Sequence, residues 1–172
     1  MSREIFLHPC DLWFGSGQIR LRTVLGSCVA ITLWHPRLRL GGMCHYMISG
    51  APDPRKHRPD DCYADSAMEV LEMRIRARNL DPREFEAKLF GGGQMFPWII
   101  GGATGAQIQA RNIAAGRDLA HHHGHRVVAE HVGGDGHRQL IFDIQSGQAW
   151  LKHITPTLFT CPTKESTAWA CP

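Results

Sequence analysis

The sequence predicts a single α+β domain, and three observations carry that prediction. The 172 residues, 43% hydrophobic and 20% charged, suffice for one sizeable core and ask for no second. Several short runs either alternate apolar and polar residues or stay apolar between glycine and proline breaks, as strands do. Two longer runs instead repeat their apolar residues at helical spacing.

In chain order, Ile5 to Leu12 reads as a short strand and loop broken at His8-Pro9, with a turn at Gly15-Ser16-Gly17. From Gln18 the pattern alternates, with Ile19, Leu21 and Thr23 on the apolar face of a half-buried strand. Val29 to Leu33 is apolar enough for a central strand, and Leu40 to Ile48 supplies a returning arm in which Gly41-Gly42 marks a close backbone approach or a bulge. Ser49 to Asp61 is a polar loop suited to a lid or a partner contact. Ala64, Ala67, Met68, Leu71 and Ile75 define a helix over 62–79, capped by Asp60 or Asp61, with Glu69, Glu72, Arg76 and Arg78 on its polar face. Glu86 to Phe90 is a strand running into Gly91-Gly92-Gly93.

A second helix spans roughly 105–123, with Ile108, Ala115 and Leu119 on its buried stripe and Gly124 as its stop. Asn112 falls on the same stripe, where a polar residue ordinarily finds hydrogen-bond partners. Val127 to Val132 is a strand, and 139–144 with 149–154 form a hairpin closed at Ser146-Gly147. The expected organisation is one domain over residues 1–154 and a loosely ordered Pro/Thr/Cys-containing tail over 155–172.

The chemistry concentrates in the hairpin of the central strand. His35-Pro36-Arg37-Leu38 fits a type I turn with proline second, which pairs Trp34 with Arg39 and makes paired residue numbers sum to 73. That register sets Cys28 directly opposite His45, with Cβ atoms about 5 Å apart. A thiol becomes a strong nucleophile when an imidazole takes its proton. Cysteines beside apolar strands are ordinarily small buried hydrophobes. The Gly26-Ser27 turn before Cys28 sets it apart, because it exposes the side chain and frees backbone N–H groups for an oxyanion. Thr23, on the inward face of the preceding strand, can accept from the imidazole N–H and orient the ring as a third member.

Other classes are less well served. A formal charge of +3, with no basic run interleaved with aromatics, does not argue for nucleic acid. No apolar run approaches about 20 residues, so no direct membrane insertion is expected. Residues 1–15 lack the pattern of a signal peptide, so the six cysteines are expected to be free thiols in a reducing cytoplasm. Zinc-type ligands occur in Cys44, His45, His57 and Cys62 and in the run His121-His122-His123-Gly124-His125, but at poor spacing, so no metal site is assigned. Gly91-Gly92-Gly93 lacks the Lys-Ser/Thr of a phosphate loop, and no cofactor is expected.

Taken together, Thr-Val-Leu-Gly-Ser-Cys-Val-Ala (23–30), Gly-Gly-Met-Cys-His-Tyr-Met (41–47), Tyr-Ala-Asp-Ser-Ala-Met (63–68), Lys-Leu-Phe-Gly-Gly-Gly (88–93), Ala-Arg-Asn (110–112) and Gly-Gly-Asp-Gly-His-Arg (133–138) resemble the CheD family of chemoreceptor glutamine deamidases. The resemblance spans about residues 5–154. It implies a layered sandwich of mixed and antiparallel sheets flanked by two main helices, similar to bacterial toxin deamidases. It also implies a protein-glutamine glutaminase with Cys28 as nucleophile, His45 as general base, Thr23 completing the triad and Gly26-Ser27 supporting the oxyanion. Glutamyl methyl esters are a second implied substrate. The implied partners are the cytoplasmic methyl-accepting helices of chemoreceptors and a CheC-type phosphatase. The alternative is a non-catalytic chemotaxis adaptor that docks on receptors or on such a phosphatase, using the 49–61 loop and the tail.

Overall fold

A computed structural model describes residues 2–51, 55, 60–95 and 103–156. The tail beyond 156 and much of the 49–61 loop lie outside the described residues. Among the described residues, nine strands and two α-helices follow in the order β1 (Arg3–Phe6), β2 (Leu12–Ser16), β3 (Ile19–Leu25), β4 (Val29–His35), β5 (Leu40–Tyr46), α1 (Ala64–Arg76), β6 (Glu86–Gly91), α2 (Ala103–His122), β7 (Arg126–Val132), β8 (His137–Asp143) and β9 (Ala149–Ile154). Two mixed sheets form, one ordered β1-β3-β8-β9 and the other β2-β5-β4-β6-β7. The fold is therefore α+β, in three layers: the small sheet, the large sheet and the two helices.

The pleat of β4 explains the layering, because alternate side chains on a strand point to opposite faces. Val29, Ile31 and Leu33 join Ala67, Met68, Leu71 and Ile75 of α1 in a core between the large sheet and the helices. Ala30 of β4 and Met43 of β5 join Leu21, Leu25, Leu140 and Phe142 in a second core between the sheets. The central strands β4 and β5 are buried over nearly their whole length, which is why they read as continuous apolar runs. No helix among the described residues is long and apolar enough to cross a membrane.

Four expectations are corrected. First, the β4–β5 ladder runs Val29↔Tyr46 to His35↔Leu40, so paired numbers sum to 75 rather than 73. The four-residue connection is Pro36 to Arg39, with Arg39 at φ 49° and its N–H donating to His35 O at 2.9 Å. Moving the loop by one residue keeps His35 and Leu40 buried and leaves Arg39 in solvent. Gly41 and Gly42 are close approaches rather than a bulge, since a Cβ would strike Leu33 O or Trp13 O on the flanking strands. Second, α1 starts at Ala64 with Tyr63 as N-cap and no side-chain cap, while Asp60–Cys62 form a separate 3-10 turn. Third, Glu72 is buried, because His125 from beyond α2 contacts its carboxylate at 2.7 Å. Ile108 is 45% exposed, whereas Ala115 and Leu119 pack partly buried against the helix-side core, beside the buried Asn112, Gly116 and Ala120. Fourth, Cys10 and Cys62 form a disulfide, whereas Cys28 and Cys44 are free thiols. The loop after β1 and the 3-10 turn both fold onto the end of β5, which brings those two cysteines together: Cys10 N–H donates to His45 O at 2.8 Å and Met47 N–H to Cys62 O at 2.9 Å.

Candidate active site

A two-residue change in register preserves side-chain faces, whereas a one-residue slip reverses them. Cys28 therefore lies on the same face of the large sheet as His45 although it is not its direct partner. His45 stands opposite Ala30, and Cys28 lies one residue beyond the last ladder pair. Both point into the layer between the sheets, where Cys28 packs partly buried against the inter-sheet core. Ala30, with no side chain beyond Cβ, leaves room on that face for an imidazole.

The small sheet supplies the group that holds the ring. Thr23 on β3 is fully buried, and its Oγ1 lies 2.8 Å from His45 Nδ1 and 2.8 Å from Leu7 O. A hydroxyl has one proton, and a carbonyl can only accept. Thr23 thus donates to Leu7 O and accepts from His45 Nδ1–H, which leaves the lone pair on Nε2. That atom is buried and, among the described residues, without a hydrogen-bond partner. Leu7 O is fixed in turn by Leu7 N–H donating to Arg22 O at 2.8 Å, which extends the parallel β1–β3 pairing. The backbone of His45 is tied to the same loop, its N–H donating to Asp11 O at 2.9 Å.

Burial sets the charge states. It lowers His45 from the ordinary 6.5 to about 4, with contact to the Leu7 carbonyl and the negative charge of Asp11 acting the other way. Burial also raises Cys28 above its ordinary value, opposed by its own backbone N–H and by the Ser27 hydroxyl. At neutral pH the thiol and the imidazole are both neutral. Cys44 is pushed up to about 12 by complete burial and points to the helix-side core, so it has no access to the inter-sheet layer.

The turn around Cys28 is anchored through its carbonyls. Gly26 O accepts from Gly93 N–H at 2.7 Å, and Cys28 O from Gly92 N–H at 2.8 Å. Gly91 and Gly92 have φ of 114° and 63°, and a Cβ at Gly91 would strike Cys28 O, so only glycine suits this approach. Among the described residues, none accepts from the backbone N–H of Ser27 or Cys28. Arg138, 1% exposed, donates Nε to His131 Nδ1 at 2.9 Å and Nη2 to Gly133 O, bracing the glycine loop that packs on Gly93.

Of the residues singled out in sequence, Thr23 and His45 are in hydrogen-bond contact, Cys28 shares their layer, and Gly26 and Ser27 form the turn before it. Of the zinc-type residues, Cys62 is in the disulfide, His125 Nε2 lies 2.7 Å from the Glu72 carboxylate, and His57 lies outside the described residues. Sequence reasoning missed the Leu7 carbonyl, which as a backbone group leaves no mark in residue identity. It also missed the partners of Asn112, for which the signal was a polar residue on a buried helical stripe.

The fold and the site define a two-sheet α+β protein with a thiol, an imidazole and a hydroxyl gathered between its sheets. A family model described as CheD chemotactic sensory transduction matches residues 49–153. Among curated relatives, the probable chemoreceptor glutamine deamidase CheD of Pseudomonas savastanoi pv. phaseolicola is 44% identical over 151 residues, covering 87% of this chain and 84% of its own. A Dechloromonas aromatica protein named probable chemoreceptor glutamine deamidase CheD 3 is 45% identical over 150 residues, covering 86% of each. The chain belongs to the CheD family. The crystal structure of the Bacillus licheniformis hypothetical protein YfiH aligns with a TM-score of 0.45 at 14% identity, over 70% of this chain and 49% of that one.

Proposed function

We propose that this chain is a protein-glutamine deamidase that converts glutamine side chains of methyl-accepting chemoreceptors to glutamate, with Cys28 as nucleophile, His45 as general base and Thr23 orienting the imidazole. The observation that carries the reading is the fixed tautomer of His45. Its Nδ1–H is taken by Thr23, and Nε2, without a hydrogen-bond partner among the described residues, belongs to a ring in the layer that holds the Cys28 thiol. Nε2 takes the thiol proton as sulfur attacks the carboxamide carbon, and the imidazolium returns that proton to the departing nitrogen, releasing ammonia and leaving a thioester. A water molecule then gives a proton to Nε2 and attacks the thioester carbon, restoring the thiol and releasing the glutamate carboxylate. Glutamyl methyl esters follow the same course with methanol as leaving group. The backbone N–H groups of the Gly26-Ser27-Cys28 turn, free of other acceptors among the described residues, suit the oxyanion.

The reading places the chain in the cytoplasm beside the receptor helices, with a CheC-type phosphatase as a regulatory partner to be sought by co-purification. The decisive experiment is intact-mass analysis of a receptor cytoplasmic fragment after incubation with the protein. Each conversion of amide to acid adds about one mass unit, and Cys28→Ala and His45→Ala are expected to abolish it, a loss of at least roughly a thousandfold. Undiminished conversion by either variant overturns the assignment. The same Cys28→Ala chain restoring receptor adaptation in cells would favour the adaptor reading.

A further inference from the structure

The hairpin that carries the thiol and the imidazole stops pairing one residue short of Cys28. Its last ladder pair is Val29↔Tyr46, and neither Cys28 nor Met47 belongs to the ladder. A nucleophile just past the end of a strand pair would be free to splay away from the partner strand. In this molecule a side chain from another layer closes the gap. Asn112 of α2, 1% exposed, donates its amide to Met47 O at 2.9 Å and to Ser27 O at 3.3 Å. One acceptor follows His45 by two residues, and the other directly precedes Cys28.

We infer that Asn112 is a positioning residue that completes the β4–β5 ladder with a side-chain amide and thereby holds the Cys28 peptide at a fixed distance from the strand carrying His45. The inference rests on Cys28 being the nucleophile. A primary amide is the group the place requires, because it offers two N–H donors on one nitrogen to two carbonyls that can only accept. Its orientation is fixed by chemistry: the reverse would turn Oδ1 toward both carbonyl oxygens. Oδ1 is itself buried and, among the described residues, without a partner, so the bridge is kept although half of the amide goes unsatisfied there. The helix is seated to match. Tyr46 of β5 donates its hydroxyl to Asn112 O at 2.5 Å, and Gly116, one turn further on, leaves space for that hydroxyl, since a Cβ there would lie 2.6 Å from it. Asparagine is a poorer helix former than alanine, so helix stability is not what the residue serves.

Among the described residues the Asn112 side chain bonds Met47 O and Ser27 O, not the sulfur or the imidazole, so its removal acts through the placement of Cys28. The test is made on the full chain with Asn112→Ala, and with Ile75→Ala as a control that opens the helix-side core far from the bridge. The pH dependence of alkylation by iodoacetamide is followed by mass on the peptide containing Cys28. Asn112→Ala is expected to slow alkylation at neutral pH by roughly tenfold, to move the profile to higher pH, and to lower kcat by roughly tenfold to a hundredfold with KM nearly unchanged. Ile75→Ala is expected to lose stability and keep the alkylation profile. A wild-type profile and kcat in Asn112→Ala overturn the inference, as does the same shift in Ile75→Ala, which would mark a general loosening. Should Asn112→Ala fail to fold, Asn112→Ser, which retains one donor, is expected to give an intermediate profile, and a wild-type profile overturns the inference. Failure of the nucleophile assignment shows separately, as deamidation persisting in Cys28→Ala, while the alkylation profile still reports on Asn112.

Discussion

Thr23 and His45 belong to different sheets, and each is buried with little choice of partner. Thr23→Val keeps the shape and removes the hydroxyl that donates to Leu7 O and accepts from the imidazole Nδ1–H in a buried layer. The expected cost is about 1–3 kcal/mol of stability, read in urea unfolding, with turnover reduced roughly tenfold to a hundredfold because the ring loses its fixed tautomer. A larger stability loss with full turnover would separate Thr23 from the reaction. His45 also makes a pH prediction. The unfolded imidazole takes a proton below 6.5, whereas the folded one resists until about 4, so between those values the unfolded chain binds more protons. The contribution is whole above pH 6.5 and declines as pH falls toward 4, by about 3 kcal/mol in all. Unfolding midpoints of wild type and His45→Gln, compared at pH 7 and pH 4.5, are expected to converge at the lower pH.

At the scale of elements, the loop after β1 is the least autonomous part of the site, yet it presents the Leu7 carbonyl and grips the backbone of His45. The Cys10–Cys62 disulfide joins this loop to the turn before α1 across a separation of 52 residues. Closing a loop of that length removes chain entropy worth about 4 kcal/mol from the unfolded state. Cys10→Ser with Cys62→Ser is expected to lower unfolding stability toward that amount, and reductant to do the same to wild type and nothing further to the double variant. The pairing was illegible in sequence, because the two residues meet only after both segments fold onto β5. The strands themselves were legible from alternation, as in Ile19 to Leu25, and α1 from its spacing. The hairpin register was not, since a proline fits either of two loop positions, and what decides is the burial of His35 and Leu40 in a core no local pattern reveals. Glu72 misled for the same reason: its helical position reads as solvent, and His123 and His125, from far along the chain, cover its carboxylate.

At the scale of the whole molecule, the two cores have different consequences although their residues are chemically alike. The layer between large sheet and helices fixes α1 and α2, whereas the layer between the sheets fixes the distance over which Thr23 reaches His45. Leu140 of β8 is the register partner of Thr23 on β3, and Leu71 lies at the centre of the buried face of α1; both are fully buried. Truncating either to alanine removes the same atoms and is expected to cost about 2–5 kcal/mol. Their effects on turnover should differ. At a temperature where both variants remain folded, Leu140→Ala is expected to lower the deamidation rate, because a cavity beside Thr23 lets the small sheet relax away from the imidazole. Leu71→Ala is expected to keep the rate near wild type. Equal rates at equal loss of stability would mean that the sheet–sheet layer does not set the geometry of the site.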